Sequence, residues 1–233
     1  FEFKISKSKE IEDDMALPPL LLQPFVENAV KHGVATKTTE GNIEIAFSKN
    51  AMYDAVNFNA YEKPDADPNA VSNTIVLQSS YIPVQDEYTL KIKANRKLSN
   101  TEKDKAVILL DYGSDNNVVK VKWNGDWAEG KFNRLGTAKL LVDHNLPSVS
   151  SGWAEGALVN SSSLRLRGTT KTGDIISFRA ELDGKWLRFA RVKDNFVYNF
   201  DEKCPKGSGA HTLKVTTVNT AGNTNTQIFT FQR

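Results

Sequence analysis

The sequence has 233 residues and one cysteine, Cys204, so no disulfide can close within the chain. A lone thiol suits a reducing compartment, and equally an envelope protein that folds without cross-links. Cys204 lies between Lys203 and Pro205 and reads as an inert turn residue. Histidine is nearly as scarce. His32, His144 and His211 stand far apart, and no His-x-His pair occurs. A catalytic zinc needs about three protein ligands and an open position, so zinc hydrolysis is not expected. Asp143 precedes His144, but neighbours on a strand point to opposite faces, and His144 and His211 both read as turn or surface residues. No Gly-x-Ser-x-Gly elbow marks a serine hydrolase. No apolar run approaches the ~20 residues needed to cross a bilayer. The formal charge of +2 provides no strong field toward nucleic acid or an anionic membrane. Phe1-Glu2-Phe3-Lys4 lacks the apolar stretch of a secretory leader, and the chain reads as a fragment of a longer product.

Hydrophobic residues make up 39% and charged residues 25%, values typical of a folded globular chain. Residues 1–50 hold six basic against eight acidic residues, and the remainder holds 24 against 20. That change of sign coincides with a change of texture. Phe1, Phe3 and Ile5 alternate as in a short strand. Leu21, Leu22, Phe25, Val26, Ala29 and Val30 then recur three and four apart, which predicts an amphipathic helix over 18–32. Pro18 and Pro19 suit its first turn, and Gly33 suits its end. From residue 41 onward the periodicity is two. Strand-like runs cover 43–47, 56–61, 74–77, 88–92, 106–112, 118–123 and 137–142. Others cover 163–167, 175–182, 185–192, 195–200, 212–219 and 226–231. Asn124-Gly125-Asp126, Asp183-Gly184 and Ala221-Gly222-Asn223 read as tight hairpin turns. Pro147 and the Ser- and Gly-rich stretch 148–152 mark a module boundary. The fold class expected is mainly β: two immunoglobulin-like antiparallel β-sandwich modules, 43–145 and 147–233, preceded by a short strand–helix α+β stub over 1–42.

The run Leu17-Pro18-Pro19-Leu20-Leu21-Leu22-Gln23-Pro24-Phe25-Val26-Glu27-Asn28-Ala29-Val30-Lys31-His32-Gly33 resembles the N box of LytS-type sensor histidine kinases, on the first long helix of the GHKL ATP-binding fold. The resemblance implies that Asn28 would coordinate Mg²⁺ and that Glu27 would orient a water or assist phosphoryl transfer. Lys31 and His32 would approach the phosphates of ATP. Asn28, Lys31 and His32 share one helical face by spacing. A working site also needs an Asp-x-Gly-x-Gly loop and a Gly-rich lid, and neither follows. One helix cannot supply the converging amides and cations that phosphate binding needs.

Residues from about 44 to the end resemble the C-terminal β-sandwich region of bacterial envelope proteins built around a lysostaphin-type zinc endopeptidase. The resemblance rests on Ala51-Met52-Tyr53-Asp54, Tyr81-Ile82-Pro83-Val84, Ala180-Glu181-Leu182-Asp183-Gly184-Lys185-Trp186-Leu187, Tyr198-Asn199-Phe200-Asp201-Glu202, Gly209-Ala210-His211-Thr212-Leu213 and Ala221-Gly222-Asn223. It implies a non-catalytic accessory module of a cell-wall metallopeptidase, with cell-wall glycan or an absent peptidase domain as partner. A related module often carries Asp where this chain has Asn219, so no cation site is expected there. Trp123, Trp127, Trp153 and Trp186 read as anchors of cores or hairpins, with a glycan-stacking face as the alternative. The chain as given is not expected to be an enzyme. No catalytic residue, cofactor or nucleic-acid partner is expected. ATP and Mg²⁺ belong to the alternative, a two-component kinase fragment. The β-modules imply a periplasmic or extracellular location, the kinase-like segment a cytoplasmic one. The two resemblances meet at residues 40–50, as in a chimeric reading frame.

Overall fold

The structure, a computed structural model, describes residues 42–48, 51–53, 58–77, 80–113, 115–200 and 209–233. The expected strand at 1–6, the helix at 18–32 and Cys204 lie outside the described residues.

The first sandwich pairs a four-stranded with a five-stranded sheet. The four-stranded sheet runs β1 (Ile43–Ala46), β4 (Tyr88–Lys93), β8 (Trp127–Phe132), β7 (Lys122–Asn124). The five-stranded sheet runs β2 (Ala60–Lys63), β3 (Thr74–Leu77), β9 (Gly136–Val142), β5 (Ala106–Asp111), β6 (Asn116–Lys120). Their inner faces close over Tyr88, Leu90, Ile92, Ile108, Leu110, Phe132 and Leu140. The second sandwich repeats the plan. One sheet runs β10 (Ser148–Ser151), β12 (Ser163–Thr169), β16 (Asn195–Asn199), β15 (Ala190–Val192). The other runs β11 (Ala157–Leu158), β18 (Thr224–Gln232), β17 (Ala210–Asn219), β13 (Ile175–Leu182), β14 (Lys185–Leu187). Among the described residues the strands of these sheets pair antiparallel except β11 on β18, which is parallel. Its core is separate and holds Leu164, Leu166, Leu182, Phe196, Leu213, Val215 and Phe231. The molecule is therefore mainly β, built of immunoglobulin-like sandwiches.

Period-two patterning explains most of these strands. β4 alternates strictly between buried and half-buried residues, and β12 and β17 follow the same rule. β5 departs from it because both its faces are covered. Ile108 and Leu110 face the first core, while Val107 on the other face meets Leu141 and Ala221 of the second sandwich. A single turn of helix, α1 (Asn100–Lys103), enters β5. Its capping box is complete: the Glu102 amide donates to Ser99 Oγ, and the Ser99 amide donates to the Glu102 carboxylate.

Two expected strands are each divided between sheets. The run 118–123 breaks at buried Val121, leaving β6 in one sheet and β7 in the other. The run 185–192 breaks at Arg188-Phe189, so β14 and β15 also belong to opposite sheets. A chain can cross from one layer to the other without losing apolar texture, and periodicity does not register the crossing. Sequence patterning also missed β8, whose Gly130 interrupts the pattern. That glycine has a packing reason, since a Cβ there would stand 3.0 Å from the Phe132 ring. The Ser- and Gly-rich stretch at the expected module boundary forms β10. Two of the three expected hairpin turns have two-residue loops. Asp183 and Gly184 sit at φ +49° and +78°, and Gly125 at +59° opens the other. The third, between β17 and β18, is longer, running from Thr220 to Asn223.

Candidate functional site at the junction of the two sandwiches

The linker 143–147 leaves β9 and lies against the end of the second sandwich. Asp143 is 2% exposed, and its carboxylate is fully engaged by amides. The Asn145 backbone and side-chain amides donate to Oδ1 at 2.9 and 2.6 Å, and Asn219 Nδ2 donates to Oδ2 at 3.2 Å. Asn219, itself 0% exposed, also donates to the Asn145 carbonyl at 3.0 Å and accepts from the Asn223 amide at 2.8 Å. A buried carboxylate is tolerable only when such donors replace water. Asp at position 219 would put a second acceptor where Asp143 needs a donor, which gives a physical reason for the amide there.

Beyond Asp143 the linker is held by a ladder of side-chain amides. Asn225 and Gln227 stand at alternate positions on β18 and so project to one face, and Asn223 precedes them at the end of the β17–β18 turn. They donate to the carbonyls of Asn145, Pro147 and Val149 at 3.1, 2.8 and 3.0 Å, two residues apart from the linker into β10. Gln227 Oε1 also accepts from the Val149 amide at 2.6 Å. Pro147 has no N–H to give, so an ordinary ladder would fail at that point. Side-chain amides take its carbonyl instead. The pattern Asn-x-Asn-x-Gln was the available sequence signal, but nothing in the sequence says what such a row faces.

The β17–β18 turn is gripped from the other side. Lys105 Nζ donates to the Gly222 carbonyl at 2.7 Å, and Lys120 Nζ to the Ala221 carbonyl at 2.8 Å. Ala221 closes over Val107 and Leu141, with Ala70, Leu109 and Val118 around them. Apolar contact and charge-assisted bonds thus join the two modules at the same turn.

Beside this junction the second sandwich carries a cleft of about 230 Å³ lined by Arg167, Thr170, Asp174, Arg191, Asp194 and Phe196 among others. Arg191 is its fixed wall, donating to the Ile175 carbonyl at 2.6 Å and the Lys193 carbonyl at 3.1 Å and pairing with Asp174 at 3.5 Å. In the first sandwich Asp65 and Asp67 turn onto Lys139 Nζ at 3.3 and 3.1 Å. Burial would push the Asp65 carboxyl up, but bonds from Thr74, the Asp67 amide and Lys139 outweigh it and hold the group below its usual range. The Asn69 amide, with Lys139, lowers Asp67 against its own burial. Among the described residues no three His, Cys, Asp or Glu side chains gather in a way that could hold a metal ion.

The residues expected to act in nucleotide binding, Glu27, Asn28, Lys31 and His32, lie outside the described residues. His144 is exposed, as a surface residue should be. His211 corrects the sequence reading. It is 8% exposed, and its Nδ1 lies 2.7 Å from Asp183 Oδ2 at the β13–β14 turn, beside Phe231. Desolvation would raise the Asp183 carboxyl, but the Thr212 amide, His211 and Lys185 lower it below the usual range. Three of the four tryptophans anchor structure. Trp153 packs on Phe229 and Phe231, Trp123 donates to the Lys103 carbonyl at 3.0 Å, and Trp127 lies under Lys93. Trp186 departs from that expectation and is 57% exposed.

Comparison with curated proteins finds no match. Among solved structures, the fibronectin(III)-like modules of Clostridium thermocellum CbhA are 10% identical, with a TM-score of 0.31 over 63% of this chain and 85% of that one. A β-1,2-glucanase from Parabacteroides distasonis is 15% identical, with a TM-score of 0.22 over 82% of this chain and 37% of that one. Both are too distant to carry an argument. The model of the Zu5-like domain matches residues 27–143, which takes in the first sandwich through Asp143 and begins within the kinase-like run. Matched over half of its 233 residues, the chain belongs to the Zu5-like domain family.

Proposed function

We propose that this chain is a non-catalytic positioning module of a bacterial cell-envelope protein, two sandwiches locked into one strut that sets the distance between a neighbouring domain and the wall. The amide ladder carries this reading. Free linkers leave their carbonyls to water, whereas here those of Asn145 and Pro147 are bound by Asn223 and Asn225, and the row continues through Gln227 to Val149 at the start of β10. A chain that needed only to connect two modules would not require this. Fixing the linker costs roughly 1–2 kcal/mol of backbone entropy per residue, and the ladder, the two lysine bonds and the Ala221 contact offset that cost. The resemblance of residues 44–233 to the region that accompanies lysostaphin-type peptidases supplies the setting, with the peptidase as the neighbouring domain.

Spin labels on exposed residues of the two sandwiches, Lys131→Cys and Arg165→Cys in a Cys204→Ser background, test the strut. Pulsed dipolar spectroscopy should give one narrow distance distribution. The triple variant Asn223→Ala, Asn225→Ala, Gln227→Ala should broaden it. A broad distribution in the parent chain would refute the strut.

A further inference from the structure

The outward face of the β14-β13-β17-β18 sheet presents an exposed indole beside hydroxyls and cations. Pairing register places Trp186, Glu181, Lys214 and Ile228 in one row across four strands. Three inter-strand steps make that row about 14 Å long. Trp186 and Ile228 stand at its two ends, 57% and 66% exposed. The adjoining row holds Arg179, Thr216 and Thr226, with the two threonine hydroxyls 3.0 Å apart. Arg179 donates through Nε to Glu181 Oε1 at 2.8 Å, and its Nη2 lies 2.7 Å from the same oxygen. That grip fixes the guanidinium one diagonal step from the indole.

We propose that this face binds an acidic polysaccharide. An exposed indole offers a flat apolar platform for the C–H face of a sugar ring, and it costs little side-chain entropy when it binds. Hydroxyls and a fixed guanidinium alongside supply hydrogen bonds to sugar hydroxyls and carboxylates. Charge selects the acidic class. On the face itself Arg179 and Lys214 stand against Glu181, and exposed Arg188 follows β14 directly. Residues 148–233 together hold twelve Lys and Arg against seven Asp and Glu. The same charges oppose docking of a second copy, which would bring two basic faces together. Threonines and charged residues separate Trp186 from Ile228, so the apolar area is not continuous enough for a hydrophobic protein interface. This proposal is independent of the strut: a flexible pair of modules could still carry the face.

Native affinity electrophoresis of the whole chain tests it, with polygalacturonate, an uncharged β-glucan and linear polyphosphate as probes. Polygalacturonate should retard the chain, more weakly as salt rises, and the uncharged glucan much less. Trp186→Ala should weaken retardation at least tenfold with an unchanged melting temperature, Trp186→Phe should keep most of it, and Lys214→Glu should weaken it severalfold. Equal retardation by polyphosphate would show attraction by charge alone and overturn the proposal. So would no retardation of the parent chain, a Trp186→Ala variant that behaves like it, or a dimer in sedimentation that Trp186→Ala abolishes.

Discussion

Replacing Asn219 by Asp probes the junction at its centre. The substitution keeps size and shape but exchanges a donor for an acceptor. It removes the bonds to Asp143 Oδ2 and to the Asn145 carbonyl. It also sets two buried carboxylates about 3.2 Å apart, where an effective dielectric near 20 gives a repulsion of about 5 kcal/mol. Binding one proton relieves that repulsion and costs about 4 kcal/mol at pH 7, at ~1.4 kcal/mol per pH unit above an ordinary carboxyl. Protonation is the cheaper outcome, so the pair should share one proton, and its folded pKa should lie well above the unfolded value. The sign follows. A carboxyl raised on folding gives stability that is complete below its unfolded pKa and is lost as pH rises through the folded pKa. With the lost Asn145 bond adding about 1 kcal/mol, the variant should therefore melt about 10–20 °C below the parent at pH 7, at 2–4 °C per kcal/mol for a chain of this size. Near pH 4 the gap should shrink to the few degrees expected from losing the Asn145 bond, about 1 kcal/mol. Scanning calorimetry of both proteins at pH 4, 5.5 and 7 measures this. A gap that does not change with pH, or no gap at pH 7, would show that Asn219 and Asp143 do not meet in a buried site.

Three further substitutions test other parts of the fold. Gly136→Ala would put a Cβ 2.3 Å from the Asp111 carbonyl oxygen, so β9 and β5 must part; urea unfolding should show a loss of about 3 kcal/mol or more. Tyr88→Phe removes a fully buried hydroxyl that donates to the Arg134 carbonyl at 2.8 Å, and the same assay should show a loss of about 1–2 kcal/mol. Asp183→Asn tests the His211 pair. Because the Asp183 carboxyl is lowered on folding, its contribution is present above the unfolded pKa and lost as pH falls through the folded one. Thermal melts should show a deficit of about 1 kcal/mol at neutral pH, allowing for its partial exposure, and convergence with the parent in acid.

What the sequence determined by itself was local. Alternating apolar residues placed β4, β12, β13 and β17 within a residue or two of their observed bounds, because a half-buried strand needs that period and little else, while short apolar runs between turn residues placed β3 and β5. Asp183-Gly184 set its own turn, since few residues other than Gly, Asn and Asp accept positive φ. The break of the 118–123 and 185–192 runs between sheets was decided by tertiary structure. Both layers of a sandwich present the same apolar texture, and only closure of the core dictates where the chain crosses. The role of Asn223, Asn225 and Gln227 was likewise invisible, because an amide on a strand reads as a polar surface residue until the linker that it binds lies alongside. His211 looked like a surface histidine for the same reason: its partner Asp183 is 28 residues away and meets it only when β13 pairs with β17. Trp186 differs from the other three tryptophans in nothing that the sequence records. The register of four strands puts it on the outer face of its sheet, and that long-range pairing turns an ordinary hairpin residue into a candidate binding surface.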